Sequence, residues 1–148
     1  MGPQAVLEEL LAETGASRAT LRQRSSGGEE GGFPITHEAL AGPARSIRNA
    51  ATPSMARQPV VLRVLAGEQV VQDDCNACFP DDEPFHAMLA LYGGMRAQIV
   101  TPIVRDGATV AILSLHDLTA PRRWSPAEIA ACDRAARGLL GLLDPAGA

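Results

Sequence analysis

The spacing of apolar residues predicts a helix at each end of the chain. Residues 4–13 place apolar side chains at i, i+1, i+4 and i+5, which form one helical stripe that ends at Gly15. Residues 125–143 begin with Ser125 and Glu128 at the spacing of a capping box and continue with a second stripe. The apolar residues of the two stripes are Val6, Leu7, Leu10, Leu11, Ile129, Cys132, Ala136, Leu139, Leu140 and Leu143. Both helices therefore need an apolar surface to cover.

Period-two alternation predicts a strand after the first helix. In residues 16–24, small or apolar side chains alternate with polar ones that include Arg18, Thr20 and Arg22. We expect this strand to turn its polar face to water. The arginines of the chain are scattered, so we expect them to act as solubilising charges.

The strongest strand signal lies in residues 96–117, where two apolar runs flank an Asp106-Gly107 turn. Weaker patterns predict further strands over residues 33–40 and 69–74, helices over residues 60–66 and 85–94, and loops over residues 25–32, 41–54 and 75–84. The resulting order is helix, strand, strand, helix, strand, helix, strand, strand, helix. This order is typical of an α+β domain in which helices cover an antiparallel sheet.

Length and composition limit the classes of function. The 148 residues suit one domain over residues 1–148, with its core in residues 4–143, and the formal net charge is −4. A mildly acidic chain without a basic stripe is not expected to bind nucleic acid. No apolar run approaches a membrane span, no secretory signal is present, and the odd number of cysteines, 3, argues against a disulfide scaffold. We therefore expect a cytoplasmic protein, and the Ala-, Gly- and Pro-rich composition suggests a bacterial source.

Two polar residues interrupt the last apolar run of the hairpin. Because side chains alternate faces along a strand, Ser114 and His116 share one face with Ile112, while Leu113 and Leu115 share the other. The leucine face suits the terminal helices. On the opposite face, His116 is either part of a site or a core histidine bonded to a backbone carbonyl.

The element order, together with the stretches VVQDD, YGGMRAQIVTPIVRDGATVAILSLHD and RRWSPAEIA, resembles the GAF domain family over residues 4–143. The resemblance implies an α+β sandwich with a six-stranded antiparallel sheet of order 2-1-5-4-3-6. It places the terminal helices on one face and ligand-covering helices and loops on the other. It also implies a small-molecule sensor, with a homodimer built on the terminal helices as the expected assembly.

By this resemblance, the face with Ser114 and His116 lines the ligand pocket, and Gln98 on the neighbouring strand points to the same face. Tyr92 is either a roof of the pocket or a cap of its helix, and Asp74 is either a polar rim or a solvated turn. Convergent polar groups on an apolar sheet are what a small-molecule site requires. The predicted ligand-binding residues are Gln98, Ser114, His116, Tyr92 and Asp74.

One enzymatic branch of the family, the free methionine-R-sulfoxide reductases, has acidic residues at the positions that match Gln98, Ser114 and His116. In this chain the three are neutral or able to become cationic, so we expect the pocket to prefer a neutral or anionic ligand. We expect His116 to be free to take a charge beside a carboxylate or a nitrate-like anion. The catalytic cysteine of that branch is matched here by Gly93 and Gly94.

Cys75 and Cys78 form a C-x-x-C pair in a predicted loop. Three interpretations stay open: a redox pair of a thiol-dependent reductase, a metal site completed by His86 or Asp74, and a structural or incidental pair. We expect no bound metal. The chain has no Ser-His-Asp elbow, no P-loop, no G-x-G-x-x-G motif and no cyclic-nucleotide, bilin or haem signature, so the cofactor is unknown.

These observations predict a regulatory domain that binds a small organic or anionic molecule under segments near residues 45–95 and signals in trans through a partner protein. These observations do not decide whether the protein is an enzyme, and they favour a binding function over a catalytic one. One alternative function is a thiol-dependent reductase that uses Cys75 or Cys78. The other is an interaction module whose terminal helices dimerise through exposed apolar stripes.

Overall fold

The computed structural model describes residues 1–24 and 32–143. Its regular elements are α1 (Pro3–Thr14), β1 (Arg18–Gln23), β2 (Ile35–Leu40), a 3-10 turn (Met55–Arg57), α2 (Pro59–Leu65), β3 (Val70–Gln72), a 3-10 turn (Cys75–Ala77), α3 (Glu83–Leu91), β4 (Ala97–Arg105), β5 (Ala108–Asp117) and α4 (Pro126–Leu140). The strands form one antiparallel sheet of order β2-β1-β5-β4-β3. Helices lie on both faces of this sheet, so the predicted α+β class is confirmed.

The strand count differs from the expectation. The resemblance implied six strands, whereas the described residues form five. The strand β3 is only three residues long and lies at one edge of the sheet. The loop predicted for residues 25–32 falls almost entirely outside the described part of the chain. No helix among the described residues is both long enough and apolar enough to cross a membrane.

The strands β4 and β5 form the predicted hairpin, and its turn is confirmed. Asp106 and Gly107 are the two turn residues, with φ values of 53° and 80° that suit an aspartate and a glycine in a two-residue turn. Despite a register irregularity after Ile103, the far part of the hairpin pairs Gln98 with His116. The turn thus brings polar residues of two strands together on one face.

The helices α1 and α4 cover one face of the sheet with an apolar core. The core residues on this side include Leu7, Leu10, Ala19, Leu21, Ile99, Leu113, Leu115, Cys132 and Leu139. The helix α4 begins with the predicted capping box: the Ser125 hydroxyl accepts from the Glu128 N–H, and the Glu128 carboxylate accepts from the Ser125 N–H. This layer stabilises the fold through hydrophobic burial.

A polar network joins the end of β5 to both terminal helices. The Arg122 guanidinium forms ion pairs with Asp117, at 3.2 Å, and with Glu128 of the capping box. It also donates a hydrogen bond to the carbonyl of Thr14, the last residue of α1. Asp117, which directly follows His116 in the sequence, is therefore connected to α1 and α4.

The other face of the sheet is covered by the helices α2 and α3 and by the irregular residues 41–58. Residues 41–58 are called the covering segment below. This layer has its own apolar core, to which the covering segment contributes Ile47, α2 contributes Val64 and α3 contributes Phe85. Unlike the core under the terminal helices, it surrounds polar side chains of the strands. The candidate site lies among these polar side chains.

Candidate ligand-binding site

The polar face of β1 is buried, which corrects the prediction that it lies in water. Arg18 is 0% exposed, Thr20 is 1% exposed, and Arg22 is partly buried. The strand lies between β2 and β5, and its apolar face already belongs to the core under the terminal helices. The polar face of β1 must therefore pack against the layer formed by α2, α3 and the covering segment. Arg18 and Arg22 are parts of the interior and not solubilising charges.

A row of four polar side chains crosses the sheet on this face. The strand register aligns Gln72, Gln98, His116 and Arg18 on β3, β4, β5 and β1. Two hydrogen bonds link neighbours in the row. Gln98 Nε2 donates to Gln72 Oε1 at 2.7 Å, and Arg18 Nε donates to His116 Nδ1 at 2.9 Å. These bonds offset the cost of burying the row.

Arg18 is a buried cation held by neutral acceptors. Its NH1 group donates to the Arg45 carbonyl at 2.7 Å, and its NH2 group donates to the Tyr92 carbonyl at 2.9 Å. Burial lowers the pKa of Arg18 to about 10, partly opposed by Glu38 and Tyr92, so the side chain stays protonated at neutral pH. Among the described residues no carboxylate forms an ion pair with it. The interior behind His116 therefore carries positive charge.

His116 is neutral, and Arg18 fixes its tautomer. Because Nδ1 accepts the hydrogen bond from Arg18, the ring proton is on Nε2. Burial, together with the charges of Arg18 and Arg22, lowers the pKa of His116 well below its ordinary value. The predicted charge of His116 beside an anion stays a prediction, and it would require the loss of the hydrogen bond that Nδ1 accepts from Arg18. The arginines carry the charge, and His116 offers a neutral donor.

A small cavity lies between this polar face and the covering layer. Its lining includes four of the predicted residues, Gln98, Ser114, His116 and Tyr92. The other lining residues are Thr20, Arg22, Ile47, Thr52, Met55, Gln58, Val60, Val61, Val64, Met88, Val100 and Ile112. About 50 Å³ of this space is accessible to the centre of a water-sized molecule. None of the described lining residues is acidic, so the cavity is apolar with a positively charged, donor-rich side.

Two buried side chains at the cavity have unpaired oxygen atoms. The Thr20 hydroxyl and Gln58 Oε1 have no hydrogen-bond partner among the described residues. Gln58 is 2% exposed, and its Nε2 donates to the carbonyls of Pro53 and Pro84 at 2.7 Å and 3.0 Å, which fixes the orientation of the amide. A buried polar atom without a partner costs roughly 1–3 kcal/mol. Both oxygens are therefore positions at which a ligand group would be stabilised.

A chain of hydrogen bonds ties the covering segment to the sheet. The Tyr92 hydroxyl accepts from Arg22 NH2 at 3.0 Å and forms a hydrogen bond with the Thr52 hydroxyl of the covering segment. Arg22 NH1 donates to the Phe33 carbonyl at 2.9 Å. Tyr92 lines the cavity and is also the C-cap residue of α3, so both of its predicted positions occur together, and its contact with a ligand stays a prediction.

Asp74 lies outside the cavity. It is exposed and is the N-cap residue of the 3-10 turn Cys75–Ala77, beyond the end of β3. The predicted ligand-binding role of Asp74 is therefore corrected to the alternative, an acidic residue in a solvated turn.

Cys75 and Cys78 also lie outside the cavity and lack the properties of a redox pair. Both are free thiols, Cys75 buried and Cys78 partly buried. Burial raises the pKa of Cys75 to about 12, and burial together with Asp74 raises the pKa of Cys78. A reactive thiol needs the opposite shift, because the thiolate is the nucleophile.

The metal-site interpretation of this loop has no support in the structure. Residues 1–24 and 32–143 contain no group of three or more His, Cys, Asp or Glu side chains that could hold an ion. The Nε2 atom of His86 lies 3.0 Å from the Cys78 carbonyl and 3.1 Å from the Phe79 carbonyl. Because both neighbours are carbonyl oxygens, this nitrogen is a donor and is not free to bind a metal.

Sequence reasoning missed five polar residues of this region. They are Arg18, Thr20, Arg22, Thr52 and Gln58. The burial of the β1 residues could have been predicted, because a central strand of a sheet that is covered on both faces has no face exposed to solvent. Thr52 and Gln58 had no such signal, since they lie in an irregular segment without apolar periodicity.

The sequence model of the GAF domain matches residues 4–137 of the chain. This chain belongs to the GAF domain family. No curated protein sequence matches it. The family match accounts for the observed order of the sheet, in which β1, β5 and β4 lie between two helical layers. It does not name a ligand.

Solved structures that resemble this GAF domain include those of light-absorbing proteins. The photoproduct state of GAF3 from Slr1393 of Synechocystis sp. PCC6803 is 17% identical, with a TM-score of 0.73 over 93% of this chain and 87% of that one. The blue-light absorbing PixJ GAF domain of Thermosynechococcus elongatus is 20% identical, with a TM-score of 0.71 over 95% and 86%. The far-red absorbing dark state of JSC1_58120g3, with bound biliverdin IXa, is 19% identical, with a TM-score of 0.73 over 92% and 84%. The TM-scores show that these proteins share the fold of this chain, and the low sequence identities support no statement beyond the fold.

The cavity of this GAF domain does not fit a tetrapyrrole such as biliverdin. Sites for drug-sized ligands have volumes of about 300–1,000 Å³. Only about 50 Å³ is accessible to the centre of a water-sized molecule here, and the covering segment is bonded to the sheet around it. This arrangement suits a much smaller molecule.

Proposed function

We propose that this GAF domain is a sensory and regulatory domain that binds a small organic molecule in the cavity between its sheet and the covering segment. The observation that carries the proposal is the pair of unpaired buried oxygens, on Thr20 and Gln58, at a cavity where other polar side chains converge. In a core without a ligand site, such atoms would only destabilise the folded state, because each lacks a hydrogen bond that it would make with water in the unfolded state. Membership of a family of sensory domains supports the same conclusion.

The charges around the cavity favour an anionic ligand over a cationic one. Arg22 lines the cavity, and Arg18 lies directly behind His116. No described lining residue is acidic, so a ligand with an ammonium group would meet two positive charges and no counter-ion. Charges interact strongly in an interior of low dielectric constant. A neutral ligand is tolerated, and an anion is attracted.

Binding would act through the covering segment. The backbone of this segment accepts a hydrogen bond from Arg18 at Arg45, and its Thr52 hydroxyl bonds to Tyr92. A ligand that bonds to the cavity groups stabilises the closed arrangement and increases its population. We propose that a partner protein detects this shift in trans and that two copies of the domain associate through α1 and α4.

The two alternative functions have less support. A thiol-dependent reductase needs an accessible thiol of lowered pKa, and Cys75 and Cys78 have the opposite properties. An interaction module needs apolar stripes exposed on the terminal helices, but none of the large exposed hydrophobic side chains in the described part of the chain lies within α1 or α4. The proposed homodimer would therefore have to use the smaller or polar side chains of these helices.

Native mass spectrometry of the purified chain tests the proposal, under conditions mild enough to keep a co-purified molecule. We expect a bound mass in the wild type, its loss in a Gln98→Ala/His116→Ala double variant, and its retention in Asp74→Asn, whose side chain lies outside the cavity. Circular dichroism shows that each variant is folded. A bound mass that survives the double variant would contradict the proposed site, and a wild type with Cys75 and Cys78 two hydrogens light would favour the reductase.

A further inference from the structure

We infer that the ligand of this cavity is a small carboxylate that also carries one hydrogen-bond donor, such as a hydroxyl group. The carboxylate would lie against the donors of β1 and β5, and the ligand's own donor would bond to Gln58. This inference rests on the proposed function and names the chemical class of its ligand.

The groups that would receive the carboxylate are hydrogen-bond donors on two adjacent strands. Thr20 and Ser114 are direct partners in the β1–β5 register, and side chains of such pairs lie about 5 Å apart. Beside them are the Nε2–H group of His116 and the guanidinium of Arg22, whose NH1 and NH2 groups each donate to one described residue out of five N–H groups. A carboxylate has about four lone-pair sites. It satisfies several of these donors at once and neutralises a positive charge.

The second feature of the ligand follows from Gln58. Its Nε2 donates to two carbonyl oxygens, of Pro53 and Pro84, so a flipped amide would place Oε1 against both of them. Gln58 lines the cavity, and its Oε1 has no partner among the described residues. Because an amide oxygen is only an acceptor, the group that satisfies it must be a donor. A simple alkyl carboxylate has none.

The size of the cavity limits the carbon skeleton. A space of about 50 Å³ for the centres of water-sized molecules holds roughly three to five such molecules. Val60, Val64 and Met88 line part of it and offer only apolar contact. A skeleton of about two or three carbon atoms therefore fits this space.

Three probes of nearly equal size separate the two features. Glycolate has both the carboxylate and the hydroxyl donor, propionate replaces the hydroxyl by a methyl group, and glycolamide replaces the charged carboxylate by a neutral amide. Each is titrated into the full chain, and ¹H–¹⁵N spectra give the affinity and show whether cavity residues respond. We expect glycolate to bind at least about tenfold more tightly than either of the other two.

Two variants of similar shape assign each contact. Thr20→Val removes a donor but keeps the side-chain volume, so the affinity for glycolate should fall about tenfold or more while the free chain stays folded. Gln58→Met removes Oε1 together with the hydrogen bonds of Nε2 to the Pro53 and Pro84 carbonyls. In a variant whose circular dichroism spectrum is unchanged, the preference for glycolate over propionate should disappear while propionate still binds. Asp74→Asn is the matched control outside the cavity and should leave all three affinities unchanged.

The outcomes distinguish this inference from the proposed function. Equal affinities of glycolate and glycolamide would contradict the inference that the ligand carries a carboxylate. Equal affinities of glycolate and propionate would contradict the inference that it carries a hydrogen-bond donor. If no probe shifts the cavity resonances while native mass spectrometry finds a bound mass that depends on Gln98 and His116, the ligand class is wrong and the proposed function stands. The absence of both signals would contradict the proposed function itself.

Discussion

The two faces of the sheet carry different chemistry at neighbouring positions of the same strands. Under α1 and α4 the strands present mainly small or apolar side chains, among them Ala19, Leu21, Ile99, Leu113 and Leu115. One position along, the opposite face presents Thr20, Gln98, Ser114 and His116. All nine residues are buried, so the difference is not one between interior and surface. It lies between a face that only stabilises the fold and a face that keeps unpaired polar groups inside it.

This difference teaches how a site can be recognised in a small domain with few charged side chains. Exposure does not mark it, because both faces are covered. What marks it is that two unpartnered buried oxygens, of Thr20 and Gln58, occur together on residues that line a cavity, whereas the other unpartnered buried atoms, Arg96 Nε and Arg105 NH1, belong to residues that do not line it. The predictions below test whether the two faces differ in the sign and size of their contribution to stability.

The largest expected effect comes from the face under the terminal helices. Leu113→Ala should lower the free energy of unfolding by about 2–5 kcal/mol, because it opens a cavity in a fully buried core. Ser114→Ala, one residue later on the other face, should change it by less than about 1 kcal/mol. Urea unfolding followed by circular dichroism measures both values. Equal losses for the two substitutions would contradict the distinction between the faces.

Arg18→Met tests the polar row. The substitution leaves three acceptors without their donor, namely the buried His116 Nδ1 and Tyr92 carbonyl and the partly buried carbonyl of Arg45. The free energy of unfolding should therefore fall by about 2–3 kcal/mol. The pKa of His116 should rise once the neighbouring cation is gone, although burial keeps it below its ordinary value. An NMR titration of the imidazole measures this shift, and an unchanged pKa of His116 would count against the described contact.

The pH dependence of stability should report His116. Its pKa is lower in the folded chain than in the unfolded one, so below about pH 6.5 the unfolded state takes up the proton first and stability falls. The free energy of unfolding should therefore be lower at pH 5 than at pH 7.5. Above about pH 6.5 the imidazole is neutral in both states and contributes nothing.

The matched variant for this pH dependence is His116→Asn. Asparagine keeps an oxygen where Nδ1 accepts from Arg18 and does not titrate, so most of the loss should disappear. His37, whose pKa is also lowered, accounts for a remainder of the same sign. Urea unfolding at a series of pH values measures the difference. Identical slopes for the wild type and the variant would show that folding does not lower the pKa of His116.

The smallest expected effect has the opposite sign. Thr20→Val replaces an unpaired buried hydroxyl by a methyl group of similar volume, so the free energy of unfolding should rise by about 1 kcal/mol. Thermal and urea unfolding measure the gain. The same substitution weakens ligand binding under the inference above, which is the expected trade between stability and function. A loss of stability as large as that of Arg18→Met would mean that the hydroxyl has a partner.

The features that could be predicted from the sequence follow local rules. The Asp106-Gly107 turn and the capping box of α4 each depend on a few adjacent residues. The face shared by Ser114 and His116 follows from strand alternation alone, and both residues line the cavity.

The features that could not be predicted depend on the tertiary environment. Alternation placed Arg18 and Thr20 on one face correctly but could not tell that this face is covered. The unpaired oxygen of Gln58 depends on carbonyls from two other segments. The position of Asp74 depends on where the short strand β3 ends, and the resemblance implied a sixth strand that the described residues do not contain.

His116 and Asp117 are joined by one peptide bond and belong to different layers of the molecule. The side chain of His116 lines the cavity, whereas that of Asp117 binds Arg122, which also bonds to Thr14 of α1 and to Glu128 in the capping box of α4. One peptide bond and the contacts of one arginine thus connect a cavity residue to the helices at both ends of the chain. A change in the backbone position of His116 would therefore be felt first at Asp117 and Arg122.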